Sequence, residues 1–164
     1  MNRLLNLARR WYEVVLLSAN VLRSPLLLFL RVYFFWQLLL TGLGKPSNIG
    51  KTSEYFTSLD VPLPTLNAYL AGATETFCSL FLIFGLGSRL VAIPIVFTMI
   101  VAYLTADREA VTSMLSNSDK FVKADPFPFL LLALIVLTFG PGQLSVDALL
   151  KRKLWHSAGT KPNR

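Results

Sequence analysis

The sequence is poor in the residues from which most catalytic and metal centres are built. Cysteine occurs once, at Cys78, and histidine once, at His156, among 164 residues. One cysteine excludes an internal disulfide and a CxxC redox pair. No His, Cys, Asp or Glu cluster has metal-ligand spacing, so no metal site is expected. There is no glycine-rich phosphate loop, no Ser/His/Asp set and no internal repeat. Acids are scarce as well, nine against sixteen Lys and Arg, for a net charge of +7. No small-residue cleavage site follows the apolar residues before Arg23, so the start does not read as a signal peptide.

What is present is apolar sequence in blocks. Hydrophobic residues make up 54% of the chain, twelve of them Phe, and the mean hydropathy is +0.55. A helix needs about 20 mostly apolar residues to cross a hydrocarbon core of roughly 30 Å. Residues 25–44, 67–87, 89–106 and 126–141 approach that requirement, the last falling short. The expected fold is all-α, an integral membrane four-helix bundle. Ahead of it, residues 1–24 place Leu4, Ala8, Trp11, Val15, Ala19 and Leu22 at helical spacing. With Trp and Tyr beside arginines, they predict an amphipathic interfacial helix. Pro25 would open a new helix, the membrane domain would run over 25–147, and 148–164 would be a basic tail.

The basic excess is a topology signal more than a nucleic-acid one. With four spans, both termini share a side with the turn near residue 87. That side carries ten Lys and Arg against Glu13 and Asp147, whereas the opposite loops carry five against six acids. The bias places both termini in the cytoplasm and the loops 45–66 and 107–125 outside. It also attracts anionic lipid. In the loops, "SLDVPLP" predicts an extended segment and "EAVTSML" a short helix. Glycines and proline in "TGLGKPSNIGK" predict the end of the first span.

Three polar side chains interrupt the spans: Arg31 and Gln37 in "LLLFLRVYFFWQLLLTGLG", and Glu75 in the second span. An arginine near the middle of a bilayer costs about 2.5–3.5 kcal/mol on lenient scales. A rise of about 1.5 Å per residue puts Arg31 about 9 Å and Gln37 about 18 Å from Pro25, with Glu75 level with Gln37. Ala68, Ala71, Gly72, Cys78 and Ser79 around Glu75 form a small-residue surface suited to close helix approach. Cys78 is then a packing residue. Three readings stand open. Arg31, Gln37 and Glu75 form an internal network that pairs the helices; Arg31 snorkels toward the near surface; or the trio lines a pocket for a quinone-like or lipid-like molecule.

The motifs taken in order resemble the DoxX family of small four-helix membrane proteins. They are an arginine early in the first span, "TGLGK" at its end, "YFTSLDVPLP", "AGATETFCSLFLIFGLGSR" and "FGPGQLSVD", and together they cover roughly residues 26–150. The resemblance marks Arg31, Lys45, Glu75, Gly85, Arg89 and Asp147 as characteristic positions. Where the family often has a glycine pair around the glutamate, this chain has "TETFCS". Lys45 is an outer-surface candidate, and Arg89 with Asp147 is expected to bridge the inner turn to the tail. The resemblance implies an accessory or scaffold subunit of a redox-linked membrane complex, with a quinone as the candidate ligand and a redox protein as the candidate partner. A quinone-linked oxidoreductase subunit is the alternative. A small transporter is less favoured, lacking repeats and broken helices. No cofactor-binding pattern is evident, and nucleic acid is not an expected partner.

Overall fold

The computed structural model describes residues 2–158, and every element among them is a helix. The first helix, α1 (Asn2–Ser47), is 46 residues long, about 69 Å at the helical rise. It is followed by α2 (Ile49–Ser58), α3 (Pro64–Phe84), α4 (Ser88–Thr105), α5 (Arg108–Thr112), α6 (Ser118–Lys123), α7 (Pro126–Phe139) and α8 (Val146–Ala158). Three helices, α1, α3 and α4, are long and apolar enough to cross a membrane. The 14 residues of α7 reach only about 21 Å. That helix completes the bundle, but it is shorter than the expected span.

The expected start of a helix at Pro25 does not occur, because α1 runs through both Pro25 and Pro46. A proline removes one intrahelical bond and crowds the carbonyl four residues earlier. Here tertiary contacts hold the chain on both sides of Pro25. The Gln143 amide donates to Ser24 Oγ at 3.4 Å, and Leu27 packs against Gly142. The N-terminal segment is therefore helical as expected, but continuous with the first span. Residues 159–164, the end of the expected basic tail, lie outside the described residues, as do the side chains of Leu4, Ala8 and His156.

Loop 45–66 is mostly helical, and "SLDVPLP" is a tight turn in place of an extended segment. Asp60 and Leu63 both take positive φ there, 57° and 46°. A contact of 2.7 Å between the Ser53 and Thr65 hydroxyls ties α2 to the start of α3. At the same end of the bundle, loop 107–125 forms α5 and α6, with the expected helix around Glu109 present but short. Tyr103 donates to the Phe121 carbonyl at 2.8 Å and stacks on its ring at 4.6 Å. Lys120 pairs with Glu109 and holds that carboxyl below its ordinary range. Burial, then the neighbouring Asp125, push the Asp107 carboxyl up.

The core lies where α1, α3, α4 and α7 converge. Phe35 and Leu38 of α1, Leu82 of α3, Ala92, Ile95 and Met99 of α4, and Leu132, Ala133 and Val136 of α7 fill it. Their spacing explains the convergence. Buried positions follow steps of four and three along α3 (Ala68, Gly72, Glu75, Ser79, Leu82) and nearly so along α4, which keeps one stripe turned inward.

Candidate functional site

The polar residues fall on two facing stripes. On α1, Arg31, Phe35, Leu38, Gly42 and Lys45 recur at steps of four and three, matching the buried stripe of α3. The helices run antiparallel, Arg31 meeting the end of α3 and Gly42 its middle. A Cβ at Gly42 would lie 2.7 Å from the Thr76 amide nitrogen and 2.9 Å from Glu75 Cβ. One at Gly72 would lie 3.1 Å from the Gly42 carbonyl oxygen. Two glycines thus set the approach of the backbones.

That approach brings Lys45 and Glu75 together as an ion pair, their side chains 18% and 6% exposed. Side chains on a helix lean toward its N-terminus. In an antiparallel pair Lys45 therefore leans back along α1 as Glu75 leans forward to meet it. The same lean carries Arg31, on the same helix but on the N-terminal side of Glu75, away from that carboxylate. Among the described residues Arg31 forms no ion pair with Glu75, and the expected contact is replaced by the Lys45 one. Gln37 is exposed. Six residues from Arg31, it lies about 120° around the helix from that stripe, so it does not join the network.

Arg31 is fully buried at the opposite end of the bundle. Its guanidinium donates to the carbonyls of Ile83 and Leu144, each at 3.2 Å, and to that of Pro141. Ile83 lies in the last turn of α3, where carbonyls lack intrahelical partners and the helix carries partial negative charge. Pro141 and Leu144 belong to the segment between α7 and α8. The guanidinium therefore bolts α1 to the ends of two other helices, using backbone acceptors in place of a carboxylate. Among the described residues its Nε finds no partner. Gly85 makes room for it: φ is +72°, and a Cβ there would lie 2.6 Å from Ser145 Cβ and 2.8 Å from an Arg31 nitrogen.

Asp147 secures the same corner. Its carboxylate accepts from the Gly87 and Ser88 amides at 2.7 and 2.9 Å, and its own amide donates to the Gly85 carbonyl at 2.9 Å. Arg89 instead donates to the Thr138 carbonyl at 3.3 Å, near the end of α7. The expected Arg89–Asp147 bridge is absent among the described residues. Each charge sits at a helix terminus of opposite sign, the acid at the start of α4 and the arginine at the end of α7. The turn at Gly85–Gly87 is still clamped to the tail, through Asp147 and backbone amides.

Chemically, both buried charges in the α1–α3 interface are engaged within the protein. No group of three or more His, Cys, Asp or Glu that could hold a metal occurs among the described residues. The trio read as either an internal network or a pocket lining is dispersed: Arg31 and Glu75 occupy separate nodes, and Gln37 faces outward.

A family model, DoxX, matches residues 26–108, just over half of the chain. The chain belongs to the DoxX family. It is a DoxX membrane protein whose matched region holds Arg31, Lys45, Glu75, Gly85 and Arg89, while Asp147 lies beyond it. No curated protein and no solved structure matches the chain. Of the residues that build the DoxX nodes, sequence reasoning missed the pairing of Lys45 and the role of Gly42. The stripe of α1 carries both signals, since Gly42 and Lys45 follow Arg31, Phe35 and Leu38 at helical spacing. The carbonyls of Pro141 and Leu144 leave no side-chain signal.

Proposed function

We propose that this DoxX protein is an accessory or scaffold subunit of a redox-linked membrane complex. The redox association comes from the family resemblance. The observation that supports a partner-binding role is the N-terminal part of α1, where residues 9–23 are exposed throughout. Trp11, Val15 and Leu22, 66%, 60% and 62% exposed, present apolar surface on a helix continuous with the first span. Exposed apolar surface of this kind suits contact with a protein partner or with the membrane, and the occupant proposed here is a partner subunit.

Purification in mild detergent, followed by mass spectrometry and visible absorbance, tests the reading. A subunit carrying haem or flavin should co-purify in stoichiometric amount and be lost with Val15→Glu plus Leu22→Glu. Elution of the chain alone would refute it, and quinone retained by the isolated chain would support the oxidoreductase alternative. The proposed setting is a bacterial-type inner membrane with both termini cytoplasmic, supported by the charge bias. In a Cys78→Ser background, a cysteine at Ser53 should then react with an impermeant thiol reagent in intact cells. One at Lys153 should not, and the reverse pattern would invert the topology.

A further inference from the structure

Beside the Arg31 corner, where α1 leaves the bundle, a crevice of about 510 Å³ opens between α1, the 140–145 segment and α8. Val21, Pro25, Leu144 and Leu149 supply apolar walls, and Ser24 and Arg152 supply polar groups. We propose that this crevice binds one anionic phospholipid, its phosphate held by Arg152 and Ser24 and its acyl chains running along α1. The inference does not rest on the accessory-subunit reading: its occupant is a lipid, and of the crevice residues only Val21 falls within the exposed 9–23 stretch of α1.

Charge complementarity carries the choice of occupant. Lys151, Arg152 and Lys153 are all exposed on α8, and Arg152 has no hydrogen bond or ion pair with the described residues. The acids nearest in sequence are already engaged. Both Asp147 oxygens accept backbone amides, and Glu13 pairs with Arg9 on α1. The crevice therefore keeps a guanidinium unopposed among the described residues, whose planar fork suits a phosphate. Ser24 Oγ accepts from the Gln143 amide, leaving its own proton free to donate to a phosphate oxygen.

The apolar continuation selects a lipid over a free anion. Past Pro25, the exposed Leu26 and Phe29 extend the wall of the crevice onto the first span. A headgroup at the end of the bundle with chains beside that span has the polarity order of a phospholipid. Basic pockets next to membrane helices suit anionic headgroups.

Native mass spectrometry of the full chain in mild detergent, titrated with phosphatidylglycerol, tests this. One lipid should remain bound, and Arg152→Gln should weaken that binding by about five-fold or more, as expected for loss of a charge-assisted phosphate contact. Val21→Asp, which puts a negative charge on the wall, should do the same. Lys153→Gln removes the same charge from the same helix outside the crevice and should change binding by less than about two-fold, since exposed charges act diffusely. Melting temperature reports folding, and Arg152→Lys, which keeps the charge and loses the fork, should bind more weakly than the native chain and more tightly than Arg152→Gln. Equal losses for Arg152→Gln and Lys153→Gln would overturn the site, as would equal binding of phosphatidylcholine. Displacement of the lipid by millimolar inorganic phosphate would show a free-anion site and overturn the lipid assignment.

Discussion

Three backbone carbonyls, those of Ile83, Pro141 and Leu144, converge on the guanidinium of Arg31. A carbonyl at a helix end needs an outside donor, and a buried cation needs acceptors, so each solves the other's problem. Hydrogen bonds to charged groups contribute about 1.5–3 kcal/mol each and are not additive. Arg31→Leu should therefore lower unfolding free energy in detergent by about 3 kcal/mol, leaving buried carbonyls unpaired. Arg31→Lys should fall between, because a compact ammonium on a flexible stem lacks the planar fork. Equilibrium unfolding of the three proteins checks the order, and an Arg31→Leu protein as stable as the native chain would remove Arg31 from the architecture.

At the scale of helices, two glycines three residues from Lys45 and one residue from it have opposite roles. Gly42 faces α3, with the Thr76 backbone 2.7 Å from where a Cβ would sit, while nothing lies within 4 Å of one at Gly44. Gly42→Ala must separate α1 from α3 and should cost about 1–3 kcal/mol, the range for overpacking. Gly44→Ala should be neutral or stabilising by up to about 1 kcal/mol, because glycine is a poor residue inside a helix. Melting temperatures of the two variants check this, and equal effects would contradict the seam. In the sequence, "TGLGK" shows both glycines and does not say which one faces α3. The stripe does: Gly42 is four residues after Leu38 and eleven after Arg31. The same count removes Gln37 from the network, so matching depth along the helix was a weaker guide than angle around it. The continuity of α1 through Pro25 was not legible, since the contacts that hold it come from residues 142 and 143.

Over the whole molecule, the apolar blocks and the small-residue surface of α3 foretold a membrane bundle, and the tight turn at Gly85–Gly87 followed its glycines. The partners of the buried charges were less visible, because antiparallel packing decides which side chains lean toward one another. Lys45 and Glu75 meet near the loop-bearing end, while Arg31 turns to the end where α8 begins. The central claim is that these are two separate locks. Double-mutant cycles on unfolding free energy, Lys45→Met with Glu75→Gln and Arg31→Leu with Glu75→Gln, test it most directly. The first pair should couple by more than about 1 kcal/mol and the second should add within about 0.5 kcal/mol, as contacting and separated residues do. Coupling between Arg31 and Glu75, with Lys45 and Glu75 simply additive, would contradict the account.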